Sequence, residues 1–454
     1  MGTAVATLGQ RLTLTIDGLG HEGQGVGRWG EMVVFVPEAL PGETVQVRVR
    51  RRARRHLEAE LLGVEQPSPD RQRPACILAS RCGGCTLLHC LDQRQAELKT
   101  DLVRQALQRL GQLSVPVQPI WRAASGLGYR NRALIPLERT AEGTLRAGYY
   151  RRGSHRIVNL NRCPVLDPRI DDLIAEIKDD LEASGWPVDV NLAGSGGLRH
   201  LGLRVGHHSG EVLITLVSSH ERLPGLEQLA AAWQRRWPQV VGVGLNLQPK
   251  ANNVILGPST HCLRGRPWLL ERFAGTELRI AADTFFQVNT PQAECLVEPL
   301  VEFFSAGLCD GPIVDAYCGI GTFSLPLAAA GARVLGLELH GASVEQATAN
   351  AERNGLTQAR FEQADVAGVL SDRLKGAAGL LVDPPRRGLS PEALAAIQAG
   401  LPPRLAYISC NPATLARDLG QLCADGRYRL QRLQPVDFFP QTNHVECLAL
   451  LERT

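Results

Sequence analysis

The chain has 454 residues, of which 44% are hydrophobic and 21% are charged, with a formal net charge of +3. A chain of this length and composition forms roughly two to four globular domains with a sizeable core. No apolar run approaches the ~18 residues of a membrane-spanning helix, and the N-terminus shows no signal-peptide pattern. We therefore expect a cytoplasmic protein without a membrane partner, whose 12 cysteines are reactive or metal-bound rather than disulfide-paired.

Residues 1–67 predict a small barrel. Apolar and polar positions alternate at residues 12–16, 32–36, 45–49 and 57–64, and glycines at positions 18–27 punctuate the first turn. Short strands separated by glycine turns favour an OB-like barrel, which is a frequent oligonucleotide platform. Residues 20–28, together with Pro41-Gly42-Glu43, resemble a TRAM domain, the small RNA-binding barrel found on RNA-modifying enzymes.

A block of arginines follows the third predicted strand. Such a block repels itself unless it meets an anion, so nucleic acid is the expected partner. The alternative interpretation is a solvated strand face. No obligate protein partner is evident. The block consists of Arg48, Arg50, Arg51, Arg52, Arg54 and Arg55.

Residues 68–275 predict a mixed, mainly antiparallel α+β domain. The linker Pro67-Ser68-Pro69 leads into a cysteine cluster, and a polar helix is expected from about residue 91 to 110. Short alternating strands, such as residues 213–217, and a helix near residues 227–237 come next.

The cysteine cluster consists of Cys76, Cys82 and Cys85, with Cys163 far downstream. Cys-x2-Cys spacing by itself fits either a zinc or an iron–sulfur site, and unliganded thiols are the third possibility. Cys90 competes as a fourth ligand, but we interpret it as a bystander on the following helix. The remaining cysteines outside the strand ends are interpreted as packing residues: Cys262, Cys295, Cys309, Cys318, Cys423 and Cys447.

Strand and helix patterns alternate from residue 276 to residue 454. Predicted strands at residues 313–315, 333–338 and 380–383, and the one before Cys410, each precede a helix, and two further strands end the chain as a hairpin. Alternating units favour an α/β fold with a parallel, doubly wound sheet.

A cofactor motif follows the first of these strands. Asp315 ends the strand, and Gly319-Ile320-Gly321 precedes a helix, where glycines let the backbone approach a ligand closely. Glu338 ends the next strand and can bind ribose hydroxyls, while Asp365 can reach an adenine amino group. A third glycine at dinucleotide-fold spacing is missing, which favours S-adenosylmethionine over a pyrophosphate cofactor. The alternative for both acids is a helix N-cap or a surface carboxylate.

Two strand ends carry further chemistry. Asp383-Pro384-Pro385-Arg386 has arginine where amino-methyltransferases place a stacking aromatic residue, which leaves Asp383 free to accept from a ring N–H such as uracil N3. Cys410 lies where a strand runs into Asn411-Pro412 and a helix begins, a position at which a thiolate nucleophile is favoured. The alternative for Cys410 is a small buried hydrophobe.

Taken together, Ser409-Cys410-Asn411-Pro412, Asp383-Pro384-Pro385-Arg386, residues 286–289 and His444-Val445-Glu446 resemble the RNA (uracil-5-)-methyltransferase family over nearly the whole chain. The resemblance implies a Rossmann-like class I methyltransferase domain in which Cys410 is the nucleophile and Glu446 the general base. Asn443-His444 stands where two histidines are common. The resemblance assigns the cofactor and uracil pocket to Gln287, Tyr317, Thr322, Glu338, Asp365 and Asp383.

The same resemblance extends to the cysteine cluster. Cys76, Cys82, Cys85 and Cys163, the last followed by proline, resemble the [4Fe–4S] site of the 23S rRNA branch of this family. We expect this cluster to be structural. The expected function is methylation of carbon 5 of a uridine in 23S rRNA, and a tRNA uridine is the alternative.

Two other functions compete. A DNA cytosine-5 methyltransferase shares the covalent logic, but its nucleophile normally follows a proline, whereas Pro412 comes after Cys410. A non-catalytic iron–sulfur RNA-binding protein needs the barrel and the cluster, but neither Cys410 nor Glu446. Methyl transfer from labelled S-adenosylmethionine to RNA or to DNA separates these interpretations.

Overall fold

The computed structural model describes residues 6–191, 196–306 and 310–454. Its first part is a closed barrel in which the neighbouring strands are ordered β1-β2-β3-β5-β4. On the first strand Leu12, Leu14 and Ile16 point inward, so the alternation in the sequence places one face in the barrel core. The strands are β1 (Arg11–Leu19), β2 (Gly25–Trp29), β3 (Met32–Val36), β4 (Thr44–Arg52) and β5 (His56–Gln66).

The barrel is confirmed, but the sequence analysis missed β2. Residues 25–29 were assigned to a glycine turn, whereas they pair with both β1 and β3. The glycines serve close packing here: a Cβ on Gly27 would lie 2.5 Å from the carbonyl oxygen of Thr15. Closure of a narrow barrel therefore explains a glycine pattern that resembles a turn.

The barrel is firmly attached to the linker on its C-terminal side. Glu43 is fully buried and accepts hydrogen bonds from Arg71 Nη2 at 2.8 Å and from the Ser68 amide at 3.2 Å. The proline-containing linker therefore docks against the barrel.

A second sheet forms the centre of the chain, with strands in the order β12-β11-β10-β9-β6-β7-β8. Neighbours are antiparallel except for β10 and β11, which confirms a mixed, mainly antiparallel α+β module. Its strands are β6 (Arg132–Arg139), β7 (Leu145–Tyr150), β8 (Ile157–Asn159), β9 (Leu198–Val205), β10 (Val212–Ser218), β11 (Val240–Leu247) and β12 (Ser259–Gly265). Its helices are α1 (Asp92–Ala106), which continues into a π-helical turn at Leu107–Gly111, α2 (Pro168–Asp171), α3 (Leu173–Ala183) and α4 (Leu226–Arg236).

Two elements of this region pack against the C-terminal part. Val103 of α1 and Leu107 share a core with Leu415 and Leu419. The hairpin of β13 (Trp268–Phe273) and β14 (Thr276–Ala281) contributes to another core of the C-terminal sheet. The expected domain boundary between residues 275 and 276 falls within the turn of this hairpin.

The C-terminal sheet has the order β17-β16-β15-β18-β19-β21-β20, parallel from β17 to β19 and antiparallel at β21 and β20. This confirms the doubly wound α/β fold and the terminal hairpin. Its strands are β15 (Ile313–Ala316), β16 (Val334–Glu338), β17 (Ala359–Gln363), β18 (Gly379–Val382), β19 (Arg404–Ser409), β20 (Tyr428–Val436) and β21 (Glu446–Arg453). The helices are α5 (Thr290–Glu294), α6 (Val297–Ser305), α7 (Ser324–Ala329), α8 (Gly341–Arg353), α9 (Val366–Arg373), α10 (Pro391–Gly400) and α11 (Pro412–Cys423).

Across the described ranges, the helices are too short or too polar to span a bilayer.

Candidate active site at the edge of the C-terminal sheet

The candidate site lies where the parallel strands end. Ala316 of β15 is paired with Val382 of β18, and the Asp383 amide donates to the Ala316 carbonyl at 3.4 Å. The residues that follow β15, β16, β18 and β19 therefore meet at one edge of the sheet. Ligands of open α/β sheets bind in the crevice outside this edge.

The turn after β15 contains three residues in the left-handed region of backbone conformation. Tyr317, Gly319 and Gly321 have φ values of 70°, 57° and 84°. Tyr317 differs from the two glycines because its side chain makes a left-handed conformation costly. Strained backbone of this kind is common at functional sites. The glycine turn therefore lies at the end of β15, and close approach of its backbone to a ligand stays a prediction.

Glu338 supports this turn from the neighbouring strand. Its carboxylate accepts hydrogen bonds from the Gly319 amide at 3.2 Å and from the His340 amide at 2.8 Å. Asp315, which accepts a hydrogen bond from the Ser324 hydroxyl, is buried beneath the turn. Burial raises the pKa of Asp315 to about 7, and the nearby Glu338 contributes to the rise.

Two further residues assigned to the cofactor pocket, Thr322 and Asp365, differ in exposure. Thr322 is buried in the turn, two residues before α7 begins. Asp365 is exposed and caps α9 by accepting from the Ala367 amide at 3.2 Å. The N-cap alternative therefore applies to Asp365, and contact with an adenine remains a prediction.

The pairing of β19 with β21 brings the two candidate catalytic residues, Cys410 and Glu446, opposite each other. Ser409 pairs with Cys447, so extending the antiparallel register by one residue sets Cys410 opposite Glu446. Directly opposed residues share one face of a sheet. Cys410 is half-buried, whereas Glu446 is only 3% exposed.

Charges around the pair affect its protonation. Burial raises the pKa of Cys410 to about 11; Glu446 and Asp383 add to the rise and Arg386 opposes it. Burial also raises the pKa of Glu446 well above its usual range, with Asp383 adding to the rise and Arg386 again opposing it. The site therefore disfavours several negative charges at once unless a cation is present.

Asp383 has a defined partner. Gln287 is buried and its Nε2 donates to Asp383 Oδ2 at 3.2 Å. Burial raises the pKa of Asp383 to about 7, with Asp315 adding to the rise and the Gln287 hydrogen bond opposing it. The structure thus brings Gln287, Asp383, Cys410 and Glu446 together.

The central sheet positions the loop that carries Gln287. Asn131 is buried, and its side-chain amide donates to the Gln287 carbonyl at 2.9 Å and to Thr290 Oγ1 at 3.0 Å. The Asn131 amide also donates to the Val288 carbonyl at 2.9 Å. Sequence reasoning missed Asn131, because a single asparagine between two arginines carries no recognisable motif.

The loop before Glu446 joins all three parts of the chain. The Asn443 amide donates to Thr86 Oγ1 at 2.9 Å, and Asn443 Nδ2 donates to the His21 carbonyl of the barrel at 2.7 Å. Thr86 also donates to Asn443 Oδ1 at 3.0 Å. Asn443 therefore contacts both the barrel and the central region.

The cysteine segment lies next to this loop. Cys76, Cys82, Cys85 and Cys163 are half-buried, and the amides of Leu78 and Gly84 each donate at 3.4 Å to the sulfurs of Cys76 and Cys82. Burial raises the pKa of Cys85 to about 12, and the other three thiols add to the rise, Cys163 first. Within residues 6–191, 196–306 and 310–454, no three His, Cys, Asp or Glu side chains form a group that could hold a metal ion.

Cys90 has a different environment from these four sulfurs. It is fully buried, and its thiol donates to the Leu91 carbonyl at 3.7 Å. Leu40 and Leu87 pack around it.

The packing interpretation of the other cysteines is correct for only some of them. Cys318 and Cys447 are buried, and Cys423 is half-buried. It is wrong for Cys262 and Cys295, which are exposed on β12 and just after α5, because an isolated cysteine gives no signal of strand face or helix face. Cys309 lies outside the described residues.

Comparisons with known proteins agree with this architecture. Residues 274–454 match the model of the tRNA (uracil-5-)-methyltransferase family, and residues 5–62 match the TRAM domain. The chain is similar to the crystal structure of the tRNA (uracil-54, C5)-methyltransferase of Pyrococcus abyssi in complex with S-adenosyl-L-homocysteine. That likeness has a TM-score of 0.78 and 28% identity, and covers 97% of this chain and 99% of the other.

Curated relatives cover the chain almost completely. An uncharacterised RNA methyltransferase of Parasynechococcus marenigrum is 51% identical over 98% of this chain and 96% of its own length. Another from Nostoc is 44% identical over 98% of this chain and 96% of its own, and one from Bacillus cereus is 35% identical over 97% and 96%. At this identity and coverage, the chain belongs to the RNA (uracil-5-)-methyltransferase family of enzymes, with a class I methyltransferase fold and an N-terminal TRAM barrel.

Proposed function

We propose that this protein methylates carbon 5 of a uridine in RNA, with S-adenosylmethionine as methyl donor and Cys410 as covalent nucleophile. The observation that carries the proposal is the juxtaposition of Cys410 and Glu446 at the sheet edge that also holds the glycine turn. The Pyrococcus abyssi protein, similar over the whole chain, is described with the demethylated cofactor bound.

The residues at the sheet edge suit this cofactor. S-adenosylmethionine supplies a methyl group on a cationic sulfonium. Glu338, fixed by two amide donors, lies where a ribose can be held. Burial raises the pKa values of Asp315, Asp383 and Glu446, and the charge of a neighbouring carboxylate adds to each rise. A cation bound among them would stabilise their charged forms.

The side chains then supply the steps that an unactivated uracil needs. The Cys410 thiolate adds at carbon 6, and the electron pair of the double bond moves to carbon 5 and the neighbouring carbonyl. Carbon 5 forms a bond to the methyl group as the sulfonium–methyl bond breaks and its electron pair stays on the departing thioether, after which Glu446 removes the carbon-5 proton. The carbon 6–sulfur bond then breaks, which restores both the aromatic pyrimidine and the thiolate. Asp383 accepts from uracil N3–H, and Gln287 holds the carboxylate in place.

For the target we propose a uridine in 23S rRNA, which is presented single-stranded or flipped out of a stack. A folded rRNA segment offers several strands to an enzyme that carries a barrel and a central domain beside its catalytic sheet. This choice is based on the sequence-level resemblance to the rRNA branch.

A tRNA uridine is the second candidate, and a specific observation favours it. The Pyrococcus abyssi enzyme is described as acting on tRNA, yet it matches 97% of this chain, including the barrel. The barrel by itself therefore does not distinguish rRNA from tRNA substrates.

One assay tests the activity and the target together. Full-length protein is incubated with methyl-labelled S-adenosylmethionine and unmodified 23S rRNA, unmodified tRNA or single-stranded DNA, and the labelled nucleotide is mapped by mass spectrometry. We expect 5-methyluridine in 23S rRNA. Label in tRNA alone contradicts the rRNA target, label in DNA cytosine contradicts the RNA substrate, and the absence of label contradicts the activity.

We also propose that Cys76, Cys82, Cys85 and Cys163 hold a structural [4Fe–4S] cluster. Two backbone amides donate to the sulfurs of Cys76 and Cys82, an arrangement that favours thiolates. The Cys163 amide donates to Asp171 at 2.6 Å, which fixes the backbone of the fourth cysteine.

A further inference from the structure

A cavity of about 600 Å³ lies on the central domain, outside the catalytic edge, and four arginines line it: Arg81, Arg146, Arg151 and Arg156. We propose that this basic groove binds the phosphodiester backbone of the RNA substrate. The inference rests on the proposed function, since it concerns how that RNA is held. Nothing in the uracil chemistry uses these side chains.

The groove is built on ordered backbone. Arg146 lies on β7, and Arg151 and Arg156 close the turn into β8, where the Arg151 amide donates to the Arg156 carbonyl at 2.8 Å. Arg81 comes from the cysteine segment. That segment is fixed to the hairpin by a bridge between Cys82 and Arg151 and by a hydrogen bond from the Gly83 amide to the Tyr150 carbonyl at 2.9 Å.

The approach of the two segments is close. A Cβ on Gly83 would lie 3.0 Å from the Tyr150 carbonyl oxygen and 3.2 Å from the Arg152 amide nitrogen. The position therefore favours glycine, and the spacing between Arg81 and the hairpin arginines is set by backbone contacts. A preformed arrangement of cations loses less entropy on binding than a flexible one.

The charge of the groove is largely uncompensated. All four arginines are exposed, and the single carboxylate in the lining, Glu138, lies 3.7 Å from Arg146. In the part of the chain that the structure describes, Arg81, Arg151 and Arg156 form no ion pair. Guanidinium groups around one cavity repel each other unless an anion lies between them, and phosphate matches their geometry.

The arginine block of the barrel differs in this respect. Arg50 is paired with Glu60, and Arg51 is paired with Glu58 at 2.8 Å, so charges of β4 are neutralised by β5. These two arginines therefore fit the alternative interpretation, in which the arginine block is a solvated strand face. The groove, in contrast, keeps its charge available for RNA.

The groove also lies beside the barrel. Arg152, in the same hairpin turn, lies 3.9 Å from Glu38 of the barrel and donates to the Cys85 carbonyl at 3.5 Å. An RNA strand on the barrel can therefore continue along the hairpin. The groove would then be a second RNA-binding surface, next to the cysteine segment.

The test replaces three groove arginines at once, Arg81→Gln, Arg151→Gln and Arg156→Gln, in the full-length protein. The control removes the same charge from three exposed arginines on other elements: Arg235→Gln on α4, Arg360→Gln on β17 and Arg429→Gln on β20. RNA affinity is measured by fluorescence anisotropy over a series of salt concentrations, with S-adenosylmethionine affinity and thermal unfolding measured alongside.

We expect the groove variant to bind RNA at least tenfold more weakly at low salt, with an unchanged affinity for S-adenosylmethionine. The slope of log affinity against log salt should fall by about 2, since each phosphate contact to a single strand contributes about 0.7. In turnover, KM for RNA should rise while kcat at saturating RNA is retained.

Equal losses in the groove and control variants would show a general charge effect and overturn the proposal, as would an unchanged salt slope in the groove variant. If the wild-type protein methylates RNA and the groove variant binds it normally, the groove serves another ligand, such as a protein. If the wild-type protein methylates no RNA, the proposed function fails, and retained salt-dependent RNA binding still reports on the groove.

Discussion

Lys99 Nζ lies 2.6 Å from Asp437 Oδ1, and both side chains are buried. The same ammonium group donates to the Phe439 carbonyl at 3.0 Å. Burial lowers the pKa of Lys99, and Asp437 opposes this effect. Lys99 belongs to α1, whereas Asp437 begins the loop that leads into Glu446, so this ion pair fixes that loop to a helix of the preceding region.

Replacing Lys99 alone should be strongly destabilising. Lys99→Met leaves the Asp437 carboxylate buried without its cation, and breaking such a pair costs about 3–5 kcal/mol. Urea unfolding measures the loss. The double variant Lys99→Met/Asp437→Leu should recover most of it, while Lys375→Met, which removes an exposed lysine, should change the free energy of unfolding by less than about 0.5 kcal/mol. A double variant no more stable than Lys99→Met would contradict the ion-pair argument.

The covalent mechanism is tested at Cys410 and Glu446. Cys410→Ala should abolish both turnover and the covalent adduct with RNA that contains 5-fluorouridine. Glu446→Gln should methylate substrate RNA but accumulate the adduct, because the carbon-5 proton is no longer removed. Gel electrophoresis of the protein–RNA species separates these outcomes, and Cys423→Ala, on the far end of the helix that follows Cys410, serves as the control. An active Cys410→Ala enzyme would rule out the nucleophile.

The reactivity of Cys410 should respond to Arg386 and Glu446 in opposite directions. Arg386 lowers the pKa of Cys410, which is about 11, and Glu446 raises it. At a fixed pH below that value, Arg386→Gln should therefore decrease the thiolate fraction and slow alkylation by iodoacetamide, whereas Glu446→Gln should accelerate it. Each pKa unit corresponds to about a tenfold change in rate.

Mass spectrometry of the peptide that contains Cys410 gives this rate without interference from other thiols. Arg387→Gln removes an adjacent, exposed arginine and is the matched control. Equal slowing of alkylation in the Arg386 and Arg387 variants would indicate that any nearby positive charge lowers the pKa of Cys410, rather than Arg386 in particular.

The metal assignment predicts iron and sulfide in anaerobically purified protein, with a brown colour. Cys82→Ser or Cys163→Ser should lose the colour and destabilise the central region, because metal binding is coupled to folding. Cys90→Ser should keep the iron, since its thiol donates to a backbone carbonyl away from the other sulfurs. Stoichiometric zinc without iron would refute the assignment.

Local sequence patterns determined much of the fold. The alternation of Leu12, Leu14 and Ile16 predicted a barrel strand with one buried face, and it was confirmed. Alternating strand and helix periods likewise predicted the doubly wound sheet. These features depend on neighbours within a few residues, so a short stretch of sequence is enough to predict them. The motif around Cys410 placed the thiol correctly at a strand end for the same reason.

Tertiary structure decided how distant segments meet. The register that sets Cys410 opposite Glu446, the support of Gln287 by Asn131, and the contact of Asn443 with Thr86 all join residues far apart in the chain. The glycine-rich β2 and the exposed Cys262 were misassigned because their environments are set by neighbouring strands. A residue's partners across a sheet depend on strand order and register, which a single local pattern does not contain.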